Sequence, residues 1–432
     1  MNGSNFQIEQ QCPQCGAPII LDEADRILAC KFCRTRVYLT AEDFFRFYIP
    51  PAGGTSETIY FIPYWRIKGL SFAIQEKDIV VDHQGSLFSY GLSSTIKSVD
   101  ISHKFFDINT LSLDSDLLPH SLGLRPQAMK LKFVGSNKHE GKFLKFPSKS
   151  SETIINAYQK RTDGIYKAIF IGETTSVIYT PVYCANNRVY DAILKRPLEL
   201  MQRDMEVEQA LISTDDEKWH VEFLPLLCPD CGADLPGEKD ALIVFCDNCR
   251  AAWNPSGKKF SRVKYSVWRE TKDDITYLPF WQLKVKVSGI KLETYADLIK
   301  VANLPKSPSE VWAQTPFYFF VPAFKLNPSL FLRWCRQLTV TPLPENLTAD
   351  FPVKKIYQVT LPANEAMESS LLTLASLIAD KRNLADLLSS LNFTLEDSSL
   401  VLHPFRVSAG ELIHTKLGFP MYINALEMGS YI

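Results

Sequence analysis

Eight of the ten cysteines form four Cys-x-x-Cys pairs, a spacing that lets two sulfur atoms bind the same metal ion. Residues 16–29 separate the first two pairs and residues 232–245 the last two, fourteen residues in each case. A hairpin of that length can place the second pair opposite the first, so the sequence predicts two four-thiolate metal sites. The ligands are Cys12, Cys15, Cys30 and Cys33 in one site and Cys228, Cys231, Cys246 and Cys249 in the other.

Four thiolates leave no open coordination position, so the metal is expected to stabilise structure and not to catalyse a reaction. Tetrahedral thiolate sites favour zinc, and we expect two structural Zn²⁺ ions per chain as the cofactors. Two alternatives stay open. An iron site of rubredoxin type uses the same ligands, and a dithiol redox centre uses a single Cys-x-x-Cys pair. The remaining Cys184 and Cys335 are interpreted as buried thiols.

The segments CPQCG (residues 12–16) and CPDCG (residues 228–232) resemble the rubredoxin-like knuckles of the zinc-ribbon superfamily. The resemblance covers two short segments and is shared with uncharacterised bacterial zinc-ribbon proteins, some of which carry a proline-aromatic-tryptophan strand. It implies a ribbon fold for those segments. It implies no activity, because a fold alone does not fix a function.

The two ribbons belong to a longer internal repeat. Cys12 and Cys228 are 216 positions apart, since 228 − 12 = 216. The segments YFIPYWRIKG (residues 60–69) and TYLPFWQLKV (residues 276–285) have the same offset, 276 − 60 = 216. We interpret the chain as two tandem copies of one unit, each a zinc ribbon followed by a larger domain.

The larger domains are predicted to consist mainly of strands, because short runs rich in Tyr, Phe, Ile and Val alternate with Gly, Pro and Ser. Helical patterns are fewer, and the fold class is therefore strand-rich α+β. The helices are expected at 150–161, 196–212, 327–338 and, with one break, 364–391. The predicted domains are ribbon 1 (1–45), strand-rich domain 1 (46–215), ribbon 2 (216–260) and strand-rich domain 2 (261–432).

The repeated aromatic strands admit two interpretations. Pro63 and Pro279 cannot donate to a strand ladder, which favours an edge or a bulge where another chain could dock. Trp65 and Trp281 are large apolar side chains, which favours the core. We prefer the core interpretation, in which each tryptophan locks the large domain, with the ribbon as one candidate contact.

Whole-chain properties limit the classes of partner. The formal net charge is −1, so no global basic field attracts nucleic acid or acidic lipid. No apolar window has the length of a membrane span, and residues 1–16 lack the features of an export signal. We expect a soluble cytoplasmic protein that could reach a membrane surface only through a partner.

No catalytic residues are predicted. The chain lacks a Walker-type phosphate loop, a dinucleotide fingerprint, a His-Glu-x-x-His motif and a Gly-x-Ser-x-Gly elbow. The histidines occupy no equivalent positions in the two halves, so surface or packing roles are expected for them. They are His83, His103, His120, His139, His220, His403 and His414.

The sequence thus favours a non-enzymatic zinc-binding scaffold, an assembly or interaction subunit of a multiprotein complex. A nucleic-acid-associated ribbon protein is the alternative, since Phe32 and Trp253 could stack on bases beside basic residues. Nearby carboxylates balance many of these charges. The basic residues are Arg26, Lys31, Arg34, Arg36, Lys258, Lys259, Arg262 and Lys264. An enzyme of unrecognised class is the second alternative.

Overall fold

A computed structural model describes most of the chain, and strands dominate it, which confirms the strand-rich α+β class. The described residues are 6–53, 56–82, 93–112, 118–123, 129–135, 141–144, 165–186, 188–198, 219–272, 274–306, 309–342, 347–352, 355–380 and 384–429. The predicted helix at 150–161, most of the one at 196–212 and the predicted boundary near residue 215 lie outside these ranges.

The strands before residue 200 are β1 (Gln7–Gln11), β2 (Pro18–Asp22), β3 (Ile27–Ala29), β4 (Arg36–Thr40), β5 (Phe45–Tyr48), β6 (Ile59–Asp82), β7 (Ser93–Leu111), β8 (Lys130–Phe133), β9 (Lys142–Phe143), β10 (Ile165–Ala185) and β11 (Arg188–Asp191). The later strands are β12 (Glu222–Pro225), β13 (Val244–Phe245), β14 (Ala252–Ser256), β15 (Lys259–Val263), β16 (Tyr265–Trp268), β17 (Ile275–Ser288), β18 (Phe319–Pro322), β19 (Leu347–Thr348), β20 (Asn392–Ser408), β21 (Glu411–His414) and β22 (Pro420–Tyr422).

The helices in the described residues are α1 (Tyr295–Val301), α2 (Glu310–Gln314), α3 (Pro328–Thr339), α4 (Ala363–Leu377), α5 (Leu384–Ser390) and α6 (Asn424–Gly429). The helices predicted at 327–338 and 364–391 are confirmed as α3 and as the broken pair α4 and α5. The Asn327 side chain accepts a hydrogen bond from the backbone N–H of Ser329, and Pro328 fills the first turn. This is why α3 begins there. No helix in the described part is long and apolar enough to cross a membrane.

The strands form four sheets within the described part of the chain. The largest has nine strands, with the path β2-β1-β8-β5-β10-β6-β7 and with β11 and β9 paired to β10 and β6. A seven-stranded sheet has the path β18-β17-β20-β16-β19, and β21 and β22 extend it from β20. The two small sheets, β12-β4-β3 and β13-β14-β15, belong to the cysteine ribbons.

The same pairing pattern occurs in both large sheets. Strand β5 is parallel to β10 and antiparallel to β8, and β16 is likewise parallel to β20 and antiparallel to β19. The Pro63 carbonyl accepts a hydrogen bond from Ser112 N at 3.2 Å, and the Pro279 carbonyl accepts one from Ala323 N at 3.1 Å. The two repeated prolines therefore have matching places in their sheets.

The edge interpretation of the proline strands is wrong. Strand β17 lies between β18 and β20, and β6 lies between β10 and β7. In β17 the missing N–H of Pro279 points to the β18 side, beside the last paired residue, Phe280. The absence of this N–H therefore removes little from the hydrogen-bond ladder between β17 and β18. Residues 281–288 of β17 alternate buried and more exposed side chains, the pattern of a strand with one buried face.

The chain folds as two compact units, each built from segments that are separate in the sequence. The first contains residues 1–68, 106–158 and 173–262, and the second contains residues 69–105, 159–172 and 263–432. Both cysteine ribbons belong to the first unit, whereas α1 to α6 belong to the second. The four-domain division stays a prediction.

Candidate metal centres

Each Cys-x-x-Cys pair lies on a tight turn that is closed in the same way. In every turn the backbone N–H of the residue after the second cysteine donates to the carbonyl of the first, at 2.8–3.0 Å. That residue takes a left-handed conformation in all four turns, because only this bends the chain back under the sulfur atoms. The residues and their φ angles are Gly16 (73°), Arg34 (63°), Gly232 (72°) and Arg250 (66°).

The left-handed turns give a testable stability effect. Gly232→Ala adds a Cβ that meets no atom within 4 Å, so its cost comes from the backbone angle alone. We expect a loss of about 1 kcal/mol, which lowers the melting temperature of the metal-loaded protein by roughly 2–4 °C. Gly53→Ala is the matched control, since Gly53 is also uncrowded but has no positive φ. Equal melting of the two variants would contradict the strain argument.

The sulfur atoms of each group converge on one point. Cys12 Sγ lies 3.6 Å from Cys33 Sγ and Cys15 Sγ lies 3.6 Å from Cys30 Sγ. The corresponding distances in the second group are both 3.5 Å. A tetrahedron with metal–sulfur bonds of about 2.3 Å has edges of about 3.8 Å, whereas a disulfide bond is about 2.05 Å long. The groups thus fit a four-thiolate metal shell, and each could hold a metal ion.

Each site has a buried half and a solvent-facing half, since the first cysteine of every pair is buried and the second is exposed. Hydrogen bonds from the side chain and backbone of Thr35 lower the pKa of Cys33 to about 6. The backbone N–H of Ala233, with help from Asn248, lowers the pKa of Cys231 to about 6. One exposed thiol in each group is therefore ready to bind metal as a thiolate at neutral pH.

The two ribbons share one hydrophobic core. Ile27 and Tyr38 of ribbon 1 pack with Leu235, Val244 and other residues of ribbon 2, and two cysteines of the second group are part of this cluster. Those cysteines, Cys228 and Cys246, are 3% and 0% exposed. Burial also raises the pKa of Tyr38 to about 12. Ribbon 1 and ribbon 2 thus form a composite structure, although nearly two hundred residues separate them in the chain.

Backbone pairing and polar contacts join the ribbons as well. Strand β12 pairs antiparallel with β4, so the small sheet β12-β4-β3 contains strands of both ribbons. The carbonyl of Lys239 accepts hydrogen bonds from Arg26 N at 2.6 Å and Ile27 N at 2.8 Å. The Lys239 ammonium lies 3.3 Å from the Asp25 carboxylate. A change in one ribbon is therefore expected to affect the other.

No family model, curated protein or solved structure matches this chain. The geometry of the two four-cysteine groups is consistent with zinc-ribbon-like sites.

The segment YFIPYWRIKG attaches ribbon 1 to the large sheet. Arg66 of this strand is 1% exposed and forms ion pairs with Asp107 and with Glu23, which follows β2 in ribbon 1. The Arg66 Nε to Glu23 Oε1 distance is 3.5 Å. Trp65 lies beside Phe44, with 4.9 Å between ring centroids. The strand thus contacts the ribbon through both its aromatic and its charged side chains.

Both repeated tryptophans are buried, as the core interpretation predicted. Trp65 is 1% exposed and Trp281 is 4% exposed. The indole N–H of Trp281 donates to the carbonyl of Leu361 at 2.9 Å. Sequence reasoning missed the buried charges of Arg66 and Lys68. Their signal was two cations, two residues apart, inside an otherwise apolar strand.

The predicted basic residues are not equivalent. In ribbon 2 and the following strands, Lys258, Arg262 and Lys264 form ion pairs with carboxylates at 3.0–3.1 Å. Trp253 is buried at 6% exposure, so the expectation that it could stack on bases is wrong. Lys31 and Arg34 are exposed at the second Cys-x-x-Cys turn of ribbon 1. Phe32, which precedes Cys33 in the same turn, is 75% exposed.

Two histidines that the sequence leaves scattered are joined in the second unit. His403 Nδ1 and His414 Nε2 are 2.9 Å apart, and the rings are 1% and 0% exposed. His414 Nδ1 accepts hydrogen bonds from Lys416 N and Leu417 N, each 3.2 Å long. The His414 ring therefore carries its proton on Nε2, and this N–H donates a hydrogen bond to His403 Nδ1. Burial lowers the pKa of His403 well below its ordinary value and that of His414 to about 3.

Proposed function

We propose that this protein is a non-enzymatic, zinc-stabilised interaction protein that acts as an assembly subunit of a larger complex. The observation that carries the proposal is the composite of two ribbons, in which both four-cysteine groups are closed and Cys228 and Cys246 form part of a shared core. Such metal sites stabilise a surface and leave no coordination position for a substrate.

Zinc is the metal that we propose for both groups. The short sulfur contacts join a cysteine of one pair with a cysteine of the other, as Cys12 does with Cys33. This arrangement suits a shell closed between two turns, whereas a redox dithiol acts within one Cys-x-x-Cys pair. Eight reduced thiols also need a reducing compartment, and we therefore propose a cytoplasmic location.

The proposal of a non-enzymatic role is supported by the placement of the groups that could do chemistry. Among the described residues, His403 and His414 form a buried pair, and aromatic rings surround this pair. Cys335 is 2% exposed, and burial raises the pKa of its thiol far above the ordinary value. A substrate cannot reach these groups without opening the core.

We also propose that the chain arose by tandem duplication. The matching pairing of β5, β8 and β10 with that of β16, β19 and β20 supports this. The equivalent hydrogen bonds at Pro63 and Pro279 add to the constant sequence offset. A duplicated structure with two different ribbons gives one chain several distinct surfaces for protein partners.

The assembly role is tested by affinity purification of the full-length protein from its native host, with and without nuclease. We expect a defined protein partner in constant ratio that survives nuclease treatment and is lost when EDTA removes the metal. Recovery of the chain alone, or a partner that binds the metal-free protein equally well, would contradict the proposal. Lys258→Gln is a surface control that should keep the partner.

One observation favours the nucleic-acid alternative. At the tip of ribbon 1, Phe32 is 75% exposed between the cations Lys31 and Arg34, which make no ion pair within the described residues. An exposed ring beside cations can stack on an unpaired base. Binding of a single-stranded oligonucleotide that weakens with salt and is lost in Phe32→Ala would support this function. Binding unchanged in that variant would reject this site.

A further inference from the structure

A groove in the second unit is bounded by helices α3 and α4 and by Ile101 of strand β7. Its volume is about 430 Å³, within the range of small-molecule sites. The apolar side chains are all aliphatic, from Ile101, Leu332, Val340 and Leu372. None of its described lining residues is aromatic, so it suits an alkyl chain better than a flat aromatic ligand.

Two of the polar groups in the groove are already satisfied by their own helix. The Ser376 hydroxyl donates to the carbonyl of Thr373 at 2.7 Å, and the Thr373 hydroxyl donates to the carbonyl of Ser369 at 3.4 Å. Neither hydroxyl needs a ligand. The part of the groove along α4 therefore behaves as an apolar surface, and the hydrophobic effect favours burial of an alkyl chain there.

The cations lie on α3. Arg333 and Arg336 are both exposed, and one helical turn separates them on the same face. The Arg333 guanidinium donates to the carbonyl of Pro420 at 2.7 Å. Arg336 forms no ion pair and no side-chain hydrogen bond with the residues that the structure describes. Among the residues that the structure describes, no carboxylate lines the groove, so no described carboxylate neutralises its cations.

We propose that this groove binds a single-chain aliphatic carboxylate, such as a medium-length fatty-acid anion. Its chain would lie along Ile101, Leu332 and Val340, and its carboxylate would pair with Arg336 at the mouth. A planar guanidinium can donate two parallel hydrogen bonds to a carboxylate. This inference goes beyond the assembly role and does not depend on it.

The test uses isothermal titration calorimetry of the full-length, zinc-loaded protein with decanoate below its micellar concentration. Decanol and decyltrimethylammonium are the matched probes, because they keep the chain and remove or reverse the charge. We expect saturable binding of one decanoate per chain and weaker binding of both other probes. Decanoate that binds no more tightly than decanol, or no saturable binding, would overturn the proposal.

Three variants test whether decanoate binds in this groove. Arg336→Gln should weaken decanoate binding about tenfold, because it removes a hydrogen bond to a charged group. Arg406→Gln, an exposed arginine outside the groove, should leave the affinity unchanged. Leu332→Trp should fill the groove and abolish binding while the near-ultraviolet circular dichroism shows a folded protein. If Leu332→Trp misfolds, the comparison of Arg336→Gln with Arg406→Gln decides the question. Equal decanoate affinities of these two variants would overturn the proposal.

Discussion

Replacing Cys246 by serine is expected to remove the metal of the second four-cysteine group and to loosen both ribbons. Cys246 is 0% exposed and belongs to the core that ribbon 1 shares. Metal binding supplies much of the folding free energy of such small units, and the shared core transmits its loss. We expect a destabilisation of about 4 kcal/mol or more and a melting temperature lower by roughly 10 °C.

The loosening caused by Cys246→Ser is expected to reach ribbon 1 as well as ribbon 2, and this distinguishes a composite from two independent ribbons. Hydrogen–deuterium exchange of residues 27–40 should become faster in Cys246→Ser, although no ligand of ribbon 1 has changed. The reciprocal variant Cys15→Ser should accelerate exchange in residues 226–246. Cys184→Ser, outside both groups, should keep both metals and wild-type exchange. Faster exchange confined to the mutated ribbon would show that the ribbons are independent modules.

Acid is expected to destabilise the second unit through the buried histidine pair. The unfolded chain binds protons at His403 and His414 below about pH 6.5, whereas the folded chain does not. Because the pKa values of both histidines are lower in the folded state, these groups do not change the free energy of unfolding above about pH 6.5. Below that pH the free energy of unfolding decreases, and it continues to decrease toward about pH 3, the folded pKa of His414. Between pH 7 and pH 5 the cost is about 2 kcal/mol for each histidine.

This acid effect can be separated from acid release of metal. The double variant His403→Phe/His414→Phe keeps the four-cysteine groups, so a flatter pH dependence of its unfolding free energy isolates the histidines. Tryptophan fluorescence reports on the site directly, because the Trp268 ring lies 5.4 Å from His403 and 5.2 Å from His414. His120→Gln, an exposed histidine, should behave as wild type. The same pH slope in the double variant and the wild type would contradict the account.

Features set by local spacing could be predicted from the sequence. The two four-cysteine groups follow from the fixed spacings of their Cys-x-x-Cys pairs, and the burial of Trp65 and Trp281 follows from their aromatic strands. Helix α3 follows from an Asn-Pro start, since Asn327 caps the first turn. In each case neighbouring residues determine the structure.

Features that depend on distant residues could not be predicted. The core that joins Ile27 to Val244 combines segments that look like separate modules in the sequence. The contact of His403 with His414 arises because β20 and β21 pair, with Phe405 opposite His414. The interior position of Pro279 depends on where pairing with β18 ends. Such contacts are set by tertiary packing, which local propensity does not encode.

We propose that two closed zinc sites support one composite of two ribbons. Elemental analysis of the full-length protein, purified without added metal, is the decisive test. We predict two zinc ions per chain, with loss of folded ribbon structure when a chelator removes them. Iron in place of zinc, or a folded chain that contains no metal, would contradict the claim.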